Sequence, residues 1–241
     1  MPPPPPRRRP APIPGARAAL ATAAVTAAVA GCGTFNAARP LAPGEHAVGA
    51  TFGGPLVRLG APIPLPSLVL EGRHGLRPVA QRPFDVHYGL NATAAAFGLA
   101  QVHGGVGWQL TDQKGGLPAF TVADRFYLAS SHLAAGRWAG ADRALWALNQ
   151  LDLLASWDRG RLLGYTGLSQ LTDLRDPGLH LAPLLGGQVG LGEGQTWGLQ
   201  LEARYFGVNR APASTALPWV SFGTGALGLT LGVQKRWGAP E

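Results

Sequence analysis

The chain has 241 residues, of which 46% are hydrophobic, 8% aromatic and only 14% charged, where soluble domains average about 25% charged. Its single cysteine, Cys32, excludes an internal disulfide and a thiolate-rich structural zinc site. The formal net charge of +7 is concentrated at the start of the chain, and no later Lys/Arg stripe with interleaved aromatics points to nucleic acid.

The first predicted element is a leader over residues 1–31. Arg7, Arg8, Arg9 and Arg17 precede an uncharged apolar run over residues 18–30 that ends in small side chains, the layout of a secretory signal peptide. Thirteen residues are too few to cross a hydrocarbon core of about 30 Å as a helix, which takes about twenty. Without the four leader arginines, sixteen basic residues stand against thirteen acidic ones, so the mature chain carries only +3.

The tetrad Val29-Ala30-Gly31-Cys32 at the end of this run resembles the lipobox of bacterial lipoproteins. The resemblance implies that the Cys32 thiol receives a diacylglyceryl group, that the bond before it is cut, and that the new amino terminus is acylated. Two or three chains, at about 0.8 kcal/mol per buried CH₂, would make attachment effectively permanent. The family's sorting habit places Gly33, which is not aspartate, with outer-membrane members. A plain signal peptide with an incidental cysteine is the other reading. The expected organisation is a signal peptide at 1–31, a lipid-anchored linker at 32–45 and a β-barrel domain at 46–238.

Period-two alternation dominates the rest. Phe84, Val86, Tyr88, Leu90 and Ala92 alternate with Asp85, His87, Gly89, Asn91 and Thr93. Val102, Val106, Trp108 and Leu110 alternate with Gln101, His103, Gln109 and Thr111. Trp197, Leu199, Leu201, Ala203 and Tyr205 oppose Gly198, Gln200, Glu202 and Arg204, and the same scheme recurs from Leu227 to Trp237. Turn signals separate the runs, among them Pro62-Ile63-Pro64-Leu65-Pro66, Lys114-Gly115-Gly116, Asp158-Arg159-Gly160 and Gly192-Glu193-Gly194. They bound about ten strands, near residues 46–57, 66–75, 84–93, 100–111, 118–129, 144–157, 161–171, 179–191, 196–206 and 226–237. The Ala/Leu-rich stretch 139–157 also suits a helix, but Leu151, Leu153, Ala155 and Trp157 against Gln150, Asp152, Ser156 and Asp158 favour a strand. The expected fold is an all-β, antiparallel up-and-down β-barrel of about ten strands, eight being possible.

Alternation alone does not say which face meets water. The polar positions are mainly Gly, Thr, Gln, Ser and Asn, and Lys114 and Lys235 are the only lysines. A lipid-facing exterior around a small, mildly polar interior accounts for both features. Trp108, Trp157, Trp197 and Trp237 lie near strand ends on apolar faces, where interfacial girdles sit. The hairpins thus resemble those of small outer-membrane β-barrel proteins, which usually end on an aromatic residue, whereas here Gly-Ala-Pro-Glu follows Trp237.

Candidate chemistry is sparse. If the hairpin over 84–111 turned about Ala95, His87 and His103 would face each other with Asp85 nearby, and Glu202 with Arg204 would form a second lumenal pair; these five residues are the candidate polar cluster. His46, His74, His132 and His180 show no spacing that suggests joint ligation. No Gly-x-Ser-x-Gly elbow occurs, and Ser130-Ser131-His132 cannot converge within one strand. Neither a metal nor any other cofactor is expected, and no catalysis. The expected function is a lipid-anchored outer-membrane barrel with a structural or ligand-binding role, whose partner is the lipid bilayer, reached through acylated Cys32 and the apolar exterior. The alternatives are a periplasm-facing, lipocalin-like carrier tethered by Cys32, and an outer-membrane lipid-modifying enzyme.

Overall fold

The computed structural model describes residues 36–96, 99–130, 145–174, 178–210 and 218–238. Among the described residues eleven strands follow one another: β1 (His46–Leu59), β2 (Ala61–Pro64), β3 (Ser67–Val79), β4 (Arg82–Asn91), β5 (Ala100–Gln109), β6 (Ala119–Ser130), β7 (Leu145–Arg159), β8 (Leu162–Asp173), β9 (Leu179–Leu191), β10 (Trp197–Phe206) and β11 (Ala226–Trp237). One short helix, α1 (Ala92–Ala96), joins β4 to β5. All strand pairings are antiparallel between neighbours, and β11 pairs back onto β1 from His46 opposite Trp237 to Pro55 opposite Gly228. Ten strands therefore form a closed up-and-down barrel. β2 stands apart from it as a flap hydrogen-bonded to the far end of β1, from Leu56 opposite Pro64 to Leu59 opposite Ala61.

The proline-rich stretch read as a turn thus contains a strand. β2 is an edge strand, which tolerates Pro62 and Pro64 because it has a ladder partner on one side only. The ambiguous stretch resolves as β7, paired along its length with β6 and β8. Its inward residues Leu148, Gln150, Asp152, Leu154 and Ser156 keep a strict period of two, so the pairing partners on both sides override the helix propensity of alanine and leucine. Residues 139–144 lie outside the described residues.

The two ends of the barrel differ. The end carrying His46 and Trp237 has two-residue turns at 80–81 and 160–161, the second with Gly160 at φ 73°, where a side chain would be strained. The same end also carries the connections 110–118 and 192–196, while the other end carries α1 and the connection between Phe206 and Ala226. The tryptophans Trp108, Trp157, Trp197 and Trp237 all lie on the outer face at the short-turn end.

The exterior is apolar. Leu201 is 54% exposed, Leu231 60% and Leu185 66%, while the inward residues Arg125, Gln150 and Asp152 are no more than 1% exposed. A polar pair interrupts this belt at mid-height: Asp124 on β6 points outward halfway along its strand and accepts a hydrogen bond from Asn149 Nδ2 at 2.7 Å. A carboxylate there is costly if the face meets acyl tails, and costs nothing if it meets water. Replacing both partners, Asp124→Leu with Asn149→Leu, is expected to raise the urea midpoint of unfolding in lipid bilayers without lowering the yield of folded barrel, measured by the heat-dependent gel shift.

Candidate functional site

The lumen is where the polar side chains converge. Alternation sends Glu71 and Arg73 on β3, Asp85 and His87 on β4, His103 on β5, Arg125 and Tyr127 on β6, Gln150 and Asp152 on β7, Tyr165 and Ser169 on β8 and Glu202 and Arg204 on β10 to the same interior. Burial without water makes partnership obligatory for such groups, and the lumen supplies it across strands. Arg73 and Asp85 form an ion pair with both side chains 5% exposed or less. Arg125 meets Asp152 at 3.4 Å. Arg204 meets Glu202 at 2.9 Å, and Tyr165 donates its hydroxyl to Glu202 at 2.9 Å. Tyr127 donates to Gln150 Oε1 at 2.9 Å, whose amide reaches both Asp152 oxygens at 2.9 and 2.8 Å. Ser169 Oγ is also hydrogen-bonded to Asp152.

The five residues of the candidate cluster all face this lumen, in two places. Asp85, His87 and His103 lie on one wall, Glu202 and Arg204 on another. The 84–111 hairpin is centred one residue later than expected: Leu90 pairs with Val102, so His87 sits opposite Gly105 and His103 opposite Gly89. The cause is α1, whose Ala94 N–H is capped by Asn91 Oδ1 at 2.9 Å and which lengthens the turn. The two histidines are consequently diagonal neighbours. His103 Nε2 lies 3.3 Å from Glu71 Oε1 and its ring contacts Tyr127, with centroids 5.3 Å apart. His87 is 3% exposed and neither ring nitrogen has a hydrogen-bond partner.

A second occupant of the lumen was not legible in the alternation. Residues 36–45, expected as a linker, run into the barrel from the short-turn end. Asn36, Ala37, Ala38 and Leu41 are all buried. Leu41 N–H donates to Asp85 Oδ2 at 3.1 Å, Arg73 donates to Arg39 O at 2.9 Å, and Thr121 donates to Ala38 O at 3.0 Å. Arg39 in turn reaches Ser156 Oγ at 3.0 Å and Gln113 Oε1 at 2.8 Å. Asn36 Nδ2 donates to Glu202, joining the two walls that hold the candidate cluster. Ala38 packs against Leu154, Tyr165 and Leu184 in an apolar cluster of buried residues. Gly75 makes room for the entry: a Cβ there would lie 1.8 Å from Ala42 O.

Cys32, Ser131 and His132 lie outside the described residues. Among the described residues no three His, Cys, Asp or Glu side chains are grouped to hold a metal ion.

An apolar outer belt and a lumen of paired charges are the inverse of a soluble barrel. The fold is a closed, up-and-down antiparallel β-barrel with an apolar exterior and a polar lumen. No known protein family matches the chain, and no curated protein does. Among solved structures, Ail, the attachment invasion locus protein of Yersinia pestis, is similar at 9% identity over 81% of this chain and 99% of Ail, with a TM-score of 0.24. At that TM-score the likeness does not bear on the fold, which rests on the closed ladder.

Gly75→Val is expected to expel the entering segment, because the clash is with a backbone carbonyl that has little room to yield. The loss of hydrogen bonds to buried Asp85 and Arg73 should cost on the order of 3 kcal/mol. Limited proteolysis should then cut before His46 while the barrel stays resistant, whereas the unmodified protein should resist at both places.

Proposed function

We propose that this chain is a lipid-anchored outer-membrane barrel with a structural role and a closed lumen, and that it has no catalytic function. The observation that carries this reading is the inverted polarity: Leu199, Leu201, Leu229 and Leu231 point outward at 38% to 60% exposure, while ionised side chains are neutralised inside. Such an exterior is unfavourable in water by about 25 cal/mol per Å² of apolar surface and favourable against acyl tails. The short-turn end, which also carries Trp108, Trp157, Trp197 and Trp237, then faces the periplasm, as bacterial barrels place their short turns.

The lumen supports the structural side of the reading. Ten strands enclose little space, and residues 36–42 with the cross-strand ion pairs take up much of it. A lipocalin-like carrier would need its leucines inward and an apolar cavity. A lipid-modifying enzyme would need an activated nucleophile, and the buried hydroxyls of Ser156, Ser169 and Thr121 are engaged in hydrogen bonds with Arg39, Asp152 and Ala38 O.

Acylation of Cys32 completes the reading. Cys32 precedes Asn36 by four residues, a span of at most about 14 Å of extended chain. The test is to replace Cys32 with Ala, a change that removes the acyl chains, and wash the membranes with alkaline carbonate or urea. An integral barrel remains in the pellet; release into the wash would show a soluble barrel held only by its lipid.

A further inference from the structure

Three features stand outside the lumenal account: the unpartnered His87 ring, the outward Asp124–Asn149 pair, and a pair of histidines on the outer wall. The last carries furthest. His46 opens β1 and His74 lies on β3, directly opposite it in the ladder. Their Nδ1 atoms are 2.6 Å apart and the rings meet edge-on at 4.9 Å between centroids. Two neutral imidazoles at this separation have one proton between the facing nitrogens, and a metal ion can take that proton's place.

The surroundings hold the pair in a ligating posture. His74 Nε2 lies 2.8 Å from the Tyr88 hydroxyl, and its ring stacks on Tyr88 at 5.5 Å. Tyr88 can lean that far because Gly72 lies beneath it: a Cβ at that position would be 2.7 Å from the tyrosine ring. The tautomer in which Nε2–H donates to the Tyr88 hydroxyl puts the lone pair of His74 at Nδ1, facing His46. Fixing the distal ring nitrogen in this way is the usual support of a metal-ligating histidine. On the other side, Trp237 packs on His46 at 6.0 Å between centroids. His46 and His74 are themselves half-exposed, so solvent can supply further ligands.

The spacing bears on the choice of ion. Two nitrogens at about 2.0–2.1 Å from a metal lie about 2.9 Å apart at a right angle and about 3.3 Å apart at the tetrahedral angle. The observed 2.6 Å needs to open by about 0.3 Å for the first geometry and by about 0.7 Å for the second. We propose that His46 and His74, supported by Tyr88, form an open two-histidine site for a divalent ion of square-planar or tetragonal preference, Cu²⁺ or Ni²⁺, on the outer wall at the short-turn end. The site stands on the ladder register and side-chain geometry alone and does not depend on the membrane reading.

The test is a Cu²⁺ titration of the full chain in detergent micelles, followed by electron paramagnetic resonance. One Cu²⁺ per chain should bind with hyperfine coupling to two imidazole nitrogens. His46→Asn and His74→Asn should each weaken binding at least about tenfold, and Tyr88→Phe by about tenfold, while His180→Asn should leave it unchanged. Coupling to fewer than two imidazole nitrogens in the unmodified protein would overturn the proposal, a result that needs no variant to fold. So would affinity that survives both histidine substitutions, or affinity lost on substituting His180.

Discussion

The ladder between β1 and β11 is the contact on which the rest of the structure depends. Ten registered pairs, from His46 with Trp237 to Pro55 with Gly228, turn an open sheet into a ring and leave no edge along the barrel wall. In hydrocarbon, an unpaired peptide group costs several kcal/mol, so a wall of leucine and valine is tolerable there only when every strand has two neighbours. Closure also creates an inside. Once the ring is shut, every second side chain of every strand must share a space too narrow for bulk water, and the chemistry of those residues is decided by one another.

That interior is resolved by pairing. Arg73 with Asp85, Arg125 with Asp152 and Arg204 with Glu202 place each cation beside a carboxylate. Such pairs seldom add much net stability, but breaking one leaves an uncompensated buried charge. They specify which strands lie beside which, because Arg73–Asp85 and Arg125–Asp152 each link adjacent strands. The segment from Asn36 to Glu45 takes up much of the remaining volume and is read by the same groups, so that the main-chain groups Leu41 N–H, Arg39 O and Ala38 O are satisfied inside the barrel.

Much of this was legible in the residues. Strict alternation from Trp197 to Tyr205 and from Leu227 to Trp237 identified β10 and β11 and their inward faces, and the scarcity of lysine pointed to an inverted exterior. The inward orientation of the five candidate residues was legible because polarity on an alternating strand identifies a face. Their partners were not, because a face does not determine register: α1 moved the β4–β5 centre by one residue and set His87 diagonal to His103. The β2 flap was hidden by prolines that mark turns in most contexts. The lumen segment was hidden because Asn36, Ala38 and Arg39 have no periodicity and bind through main-chain atoms, which leave no trace in side-chain pattern. His46 and His74 are 28 positions apart, and only the β1–β3 register brings them together.

The central claim is that the leucine and valine face of the wall is in contact with acyl tails. Nitroxide labels placed singly at Leu199, Leu201 and Leu231 in liposome-reconstituted protein measure this directly, through collision rates with oxygen and with a water-soluble nickel chelate. Contact with lipid predicts high oxygen and low chelate collision at all three positions, with the opposite contrast at a loop site such as Phe222. Chelate collision at the three wall positions as high as at Phe222 would contradict it.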